Sequence, residues 1–146
     1  MANPQYGKQY IRFAETALVA DNVAIPQFRL VIDAGAGTDP VTVTNVVAAA
    51  GEALGVIQQE KNLASTGYAT DLYREATIAT SGLLLIEMDG ANALAAGDAL
   101  TVDATGRASN ANPGVGSFAM TVNGTTPVVR QVVAIGGLSQ ALVSFA

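Results

Sequence analysis

Short apolar runs separated by turn-forming residues predict a chain built from β-strands. Residues 41–47 (VTVTNVV) alternate apolar and polar side chains, which is the period of a strand with one buried face. Residues 83–88 (LLLIEM) form the most apolar run, which is too short for a typical helix, so a buried central strand is favoured. Gly82 precedes this run and is expected to break the pattern that leads up to it.

The C-terminal part of the chain repeats this pattern with clear turn signals. Residues 118–122, 128–135 and 140–145 are predicted to be strands. Asn123-Gly124 is a strong signal for a tight turn after the first of them, and Gly136-Gly137 joins the last two.

The N-terminal half is less regular, and two of its segments leave a choice. Further strands are predicted over residues 10–13, 23–32, 54–58 and 68–80, with a loop over residues 33–40. Pro26 makes the second of these an edge-type strand, because proline cannot donate to a strand ladder. Residues 48–52 could form a helical turn. Residues 71–79, within the last of these predicted strands, could form a short helix. Short strands with glycine-rich turns indicate a mainly β fold, a compact β-barrel or β-sandwich with at most one or two short helices.

Residues 95–110 (AAGDALTVDATGRASN) are predicted to form a β-hairpin. Leu100 and Val102 alternate with polar neighbours, and the chain then reverses over residues 103–106. An aspartate suits such a turn because its carboxylate accepts hydrogen bonds from the turn backbone, and a glycine can adopt positive φ. The structural turn residues are Gly97, Asp98, Asp103, Gly106 and Arg107.

Composition fits one domain that is buried in an assembly. The chain has 146 residues, of which 50% are hydrophobic but only 13% charged, so a monomer would have little polar side-chain surface with which to cover itself. We expect an extended N-terminal arm over residues 1–13 and a single all-β domain over residues 14–146. The arm holds aromatic residues that favour docking on a neighbour over a frayed terminus.

Charge and residue types argue against most site chemistry. The net charge is −5 and the seven basic residues are scattered, which disfavours a nucleic-acid groove. The chain has neither histidine nor cysteine, so the usual nucleophilic triads, disulfides and thiolate or imidazole metal sites cannot be built. No apolar run is long enough to span a membrane, and the N-terminus lacks the apolar stretch of a secretory signal. We therefore expect no enzymatic activity, no cofactor, no metal, no membrane partner and no small-molecule substrate.

Three segments carry a resemblance to a known family. They are AGEALGVIQQ at residues 50–59, ATIATSGLLLIEMDG at residues 76–90 and LAAGDALTVDATGRAS at residues 94–109. Over about residues 41–146 the chain resembles the small capsid cement or head-decoration proteins of tailed bacteriophages. The N-terminal 40 residues and residues 110–126 are longer than that pattern, which is interpreted as added contacts to a capsid or within a trimer.

The resemblance implies a structural protein of the virion. Such a protein binds the outer surface of an icosahedral head, often as a homo-oligomeric trimer, and cements neighbouring capsomers of the major capsid protein. It is made in the host cytoplasm. On this hypothesis the arm contacts the capsid, with aromatic anchors and with basic residues that pair with an acidic surface. The contact residues are Tyr6, Lys8, Tyr10, Arg12 and Phe13.

Two other classes of function stay open. One is a different structural β-domain of a phage, such as a head fibre base or a tail-associated domain. The other is a carbohydrate- or cell-surface-binding module, for which the absence of tryptophan and the presence of only four tyrosines are unfavourable.

Overall fold

The computed structural model describes residues 9–19, 24–35, 37–62, 74–110, 117–135 and 138–145. The described part is almost entirely β, which confirms the predicted fold class. Its strands are β1 (Tyr10–Val19), β2 (Ala24–Ile25), β3 (Leu30–Asp33), β4 (Thr42–Thr44), β5 (Gly51–Ala53), β6 (Gly55–Ile57), β7 (Lys61–Asn62), β8 (Glu75–Glu87), β9 (Thr101–Val102), β10 (Phe118–Val122), β11 (Val128–Ile135) and β12 (Leu138–Phe145).

Five strands close into a small barrel. They follow the order β1-β4-β3-β6-β8, and β8 then pairs back with β1. Each strand contributes at least one fully buried β-branched side chain to the interior, namely Val19, Val43, Val31, Ile57 and Ile78. β-Branched side chains fill a five-stranded barrel well because they are compact and pack against a pleated surface.

A second, larger core lies on the other side of the same sheet. β12 and β11 continue the sheet from β8 in antiparallel register, and the three-stranded sheet β5-β10-β9 belongs to the same packed core. Leu84 and Ile86 of β8 pack in this core with Val102, Met120 and Val143. The molecule is therefore a sandwich-like arrangement with a barrel at one end.

β8 serves both cores because successive side chains of a strand point to opposite faces, and because its pairing is irregular in the middle. Ile78 lies inside the barrel, whereas the adjacent Ala79 and, further on, Leu84 belong to the larger core. The pairing with β1 is irregular around Phe13, and Gly82 adopts φ of +122°. The expectation that Gly82 would break the strand is wrong. A glycine is needed because a Cβ at this position would collide with the carbonyl oxygen of Tyr10.

Most predicted strands are confirmed, with changed limits in the N-terminal half. β6, β10, β11 and β12 match the predicted strands, and the strand expected at residues 10–13 continues to Val19. The strand expected over residues 23–32 is divided into β2 and β3 by a turn at Gln27 and Phe28.

Two expectations for residues 41–52 are corrected. The strand at residues 41–47 is shorter than expected, because only residues 42–44 pair as β4. The helical turn considered for residues 48–52 is wrong, since β5 begins at Gly51 and pairs with β10 in parallel.

Residues 75–80 are strand, so the short helix considered over residues 71–79 does not form there. Residues 63–73, 111–116 and the Gly136-Gly137 turn lie outside the described residues.

Candidate functional site: the exposed half of β1 and the barrel mouth

The exposed half of β1, residues 10–16, presents large side chains to solvent. Tyr10 is 69% exposed and Phe13 is 64% exposed, and Ile11 between them is also exposed. The guanidinium of Arg12 lies 5.9 Å from the centre of the Phe13 ring, within the range of a cation–π contact. Three of the predicted contact residues thus lie together on one strand, while Tyr6 and Lys8 lie outside the described residues.

Within the described residues, one edge of this half-strand has no partner strand. β1 pairs with β8 along one edge, whereas its other edge meets β4 only at Leu18 and Val19. In the part of the chain that the structure describes, no strand pairs with that edge at residues 10–17. Unpaired backbone N–H and C=O groups on such an edge can pair with another polypeptide.

Several contacts hold β1 in place. Eight residue pairs join it to β8 in antiparallel register. Just before it, Gln9 donates from Nε2 to Gln58 Oε1 at 2.9 Å and accepts from the Leu85 N–H at 3.0 Å. The Thr80 hydroxyl also donates to the Phe13 carbonyl oxygen at 3.3 Å. The aromatic side chains are therefore presented by an ordered strand.

The open end of the barrel forms an acidic mouth beside this strand. A concavity of about 660 Å³ lies between β1 and the segment that precedes β4. Four acidic residues line it, namely Glu15, Asp33, Asp39 and Glu52, and none of the described residues that line it is basic. Pro40, Val41 and Leu54 add an apolar part to the lining. The concavity therefore fits a group that is positively charged and partly apolar.

Glu52 is the most firmly held of the four carboxylates. The Thr121 hydroxyl donates to Oε2 at 2.6 Å, and the Gly124 N–H donates to Oε1 at 3.2 Å. These bonds, that from Thr121 first, lower the pKa of Glu52 because they stabilise its charged form. Glu52 is therefore ionised over a wide pH range.

The residues of the predicted hairpin lie elsewhere and hold the backbone. The Asp103 carboxylate accepts from the N–H groups of Thr105 and Arg107 and, at 2.9 Å, from Arg107 Nε. Gly106 adopts φ of +82°, and its carbonyl accepts from the Leu30 N–H, which connects the turn to the barrel.

The beginning of the same hairpin is attached to β11. The Gly97 N–H donates to the Val129 carbonyl oxygen, and the Val129 N–H donates to the Asp98 carbonyl oxygen. The Asp98 carboxylate accepts from the Ala95 N–H at 2.8 Å. None of these groups lines the acidic mouth.

Sequence reasoning missed all four acidic residues of the mouth, since Glu15 was only the first residue of a segment left unassigned. Asp33 and Asp39 were assigned only to a loop, and Glu52 only to a possible helical turn. They line one concavity with Glu15 because β1 and β4 pair in parallel and close the barrel, and no local pattern in the sequence signals that closure.

Within the described residues, no group of three or more histidine, cysteine, aspartate or glutamate side chains is placed to hold a metal ion. The same residues contain no helix of the length and apolar character needed to cross a bilayer. No protein-family model matches the sequence, and no curated protein matches it either.

Proposed function

We propose that this protein is a non-enzymatic structural component of a phage virion that binds the outer surface of an icosahedral head and cements neighbouring capsomers. The observation that carries the proposal is the exposed half of β1, where large apolar side chains stand beside an unpaired strand edge. The resemblance of residues 41–146 to head-decoration proteins supplies the class of partner.

The geometry favours a protein surface as the partner over a small ligand. An extended strand offers backbone hydrogen bonds along one edge and side-chain contacts on its faces, and this mode of binding suits another polypeptide. Three of the five large hydrophobic side chains that are exposed in the described residues lie together on β1, namely Tyr10, Ile11 and Phe13. Solvent-exposed aromatic residues in such clusters are typical of interaction sites.

Cementing would follow from mass action. A protein that binds only the assembled shell stabilises it by its binding free energy, and this gain grows with the concentration of free protein. Tyr10 and Phe13 would be the apolar anchors, with Tyr6 as a third. Lys8 and Arg12 would pair with acidic groups of the major capsid protein.

The test is to add the protein to bare, expanded phage heads and to follow their melting by calorimetry. Wild-type protein should raise the melting temperature of the heads and then saturate. The double variant Tyr10→Ser/Phe13→Ser should bind at least about tenfold more weakly, because it loses two exposed apolar anchors. Val46→Ser is the matched control, since Val46 is 62% exposed but lies outside β1 and β11. Unchanged melting at saturating wild-type protein would reject the proposed function.

We also propose that the protein assembles as a trimer, which the resemblance implies. Light scattering on the purified protein should give three times the mass of the chain. A stable monomer at high concentration would contradict this assembly.

A further inference from the structure

We propose that the unpaired edge of β1 receives an added strand from the partner polypeptide, and that this strand inserts a lysine or arginine side chain into the acidic mouth of the barrel. The inference rests on the proposed function for the kind of partner. It adds the chemistry by which the partner is recognised.

The space beside β1 can accommodate an added strand. β4 meets β1 only at its last two residues, where the Leu18 N–H donates to the Val41 carbonyl oxygen at 2.8 Å. Ahead of that bond, the segment that leads into β4 diverges from β1 and leaves the concavity described above. An added strand would lie in line with β4, and a seven-residue edge would give it a length of about 23 Å.

The charge of the mouth selects the charge of the added strand. The four acidic residues of the mouth lie at the end of the edge marked by Glu15 and Thr16, and no described basic residue lines the mouth to neutralise them. An added strand that brought an acidic side chain to this point would be repelled, while a basic one would be attracted. Arg12 lies nearer the other end of the edge and would repel a basic residue there. The electrostatic attraction is therefore strongest when the basic residue of the partner strand lies at the Glu15 end.

The apolar lining of the mouth favours a lysine or arginine side chain. Val41 and Leu54 line the same concavity as the carboxylates. The aliphatic stem of a lysine or arginine can pack on such residues while its charged end reaches the carboxylates. A small metal cation would not use this lining.

A second copy of this chain is the competing occupant. β1 itself contains Arg12 and Glu15, so two β1 edges could pair in antiparallel fashion with each arginine near the other chain's glutamate. A basic partner strand is favoured over a second copy of β1, because pairing two copies would also bring two acidic mouths close together, and their like charges would repel each other. Sedimentation velocity of wild type and of Glu15→Lys over a wide concentration range separates the two occupants, because only an assembly made through β1 would be lost in the variant.

The experiment uses two capped ten-residue peptides of alternating threonine and valine that differ at one position near one end. One carries arginine there and the other carries glutamate. Binding to the full-length protein is measured by the shifts of its backbone amide resonances. The arginine peptide should bind at least tenfold more tightly, and the shifts should centre on residues 10–16 and on the mouth.

Glu15→Lys should remove the preference for the arginine peptide. Glu60→Lys is the control, because it changes the net charge equally at an exposed position outside the mouth. Equal binding of both peptides, binding elsewhere, or no binding of either peptide at millimolar concentration would overturn the proposal. A concentration-dependent dimer that Glu15→Lys abolishes would also overturn it, since β1 would then be occupied by a second copy.

These outcomes are separable from a failure of the proposed function. The peptide assay needs no phage heads. Binding of the arginine peptide would therefore support the role of the edge even if the protein did not change the melting temperature of the heads. Conversely, heads that are stabilised equally by wild type and by Glu15→Lys would support cementing and overturn the role of the mouth.

Discussion

At Gly82 the backbone of β8 comes so close to β1 that no side chain fits between them. Its φ of +122° is itself unfavourable for any residue with a Cβ, and that Cβ would collide with the Tyr10 carbonyl oxygen. The position therefore controls how closely the exposed half of β1 is held.

We predict that Gly82→Ala lowers the free energy of unfolding by about 2 kcal/mol or more, from backbone strain and lost pairing with β1. Urea unfolding measures the change. Gly51→Ala is the control, because a Cβ there would meet no atom within 4 Å and Gly51 has no positive φ. Equal free energies of unfolding for Gly82→Ala and wild type would show that β1 can move away from residue 82 without loss of stability.

Asp103 acts through its charge in the hairpin turn. Burial raises its pKa, but hydrogen bonds from Thr105 and Arg107 outweigh burial, so the pKa of Asp103 is lowered overall. A carboxylate with a lowered native pKa adds stability above its unfolded pKa of about 3.9. That stability is lost as the pH falls through the native pKa.

We therefore predict that Asp103→Asn destabilises the fold at neutral pH by about 1–3 kcal/mol, because an amide cannot replace the charged acceptor. The free energy of unfolding of wild type should also fall more steeply than that of the variant as the pH drops from about 5. Chemical denaturation at a series of pH values measures both effects, with the exposed Glu60→Gln as control. Parallel pH profiles for wild type and Asp103→Asn would refute the role of the charge.

At the scale of elements, β1 and β8 differ in how their edges are covered. From Ala79 to Leu83, β8 is paired on one edge with β1 and, over much of this range, on the other with β6 or β12. Among the strands that the structure describes, β1 has a partner on one edge only over most of its length. Successive amides of a strand point to opposite edges.

Hydrogen exchange should reveal this difference. We predict alternating slow and fast amides over residues 13–17 of β1, and slow amides at residues 82–83 of β8, because unpaired amides exchange without local opening. Exchange followed by NMR on the free protein provides the measurement. Uniformly slow amides in β1 would mean that another polypeptide segment, of this chain or of a second one, covers its edge.

The limits of sequence reasoning also appear at this scale. Strands with a strong apolar pattern and clear turns, such as β10, β11 and β12, were predictable because local chemistry decides them. β5 and the shortened β4 were not, since parallel pairing with distant β10 and β1 sets their limits. Of the candidate site, Tyr10, Arg12 and Phe13 could be selected as exposed aromatic and basic residues of one segment. Asp33, Asp39 and Glu52 could not, because only barrel closure brings them together.

At the scale of the whole molecule, two cores share one strand and should unfold together. Ile78 and Leu84 are both fully buried, one in the barrel and one in the larger core, and both lie on β8. The Arg29–Glu87 ion pair at 2.7 Å adds a link between β3 and the far end of β8. Loss of packing in either core should therefore destabilise the other core, because β8 belongs to both.

We predict that Ile78→Ala and Leu84→Ala each lower the free energy of unfolding by about 2–5 kcal/mol, as expected for truncation of a buried aliphatic side chain. In each variant, thermal unfolding followed by NMR signals of the barrel and of the larger core should give the same midpoint. Val46→Ala at an exposed site should change stability by no more than about 0.5 kcal/mol. Separate midpoints for the two cores would show that they are independent units.

The long register between β1 and β8 also has a mechanical consequence. When a partner pulls on β1 along its axis, all eight residue pairs are strained in parallel, whereas a pull at right angles opens them one after another. The strand should therefore resist sliding much more strongly than peeling. A contact made through β1 would hold best against forces directed along the strand, and single-molecule pulling in the two directions should give clearly different rupture forces.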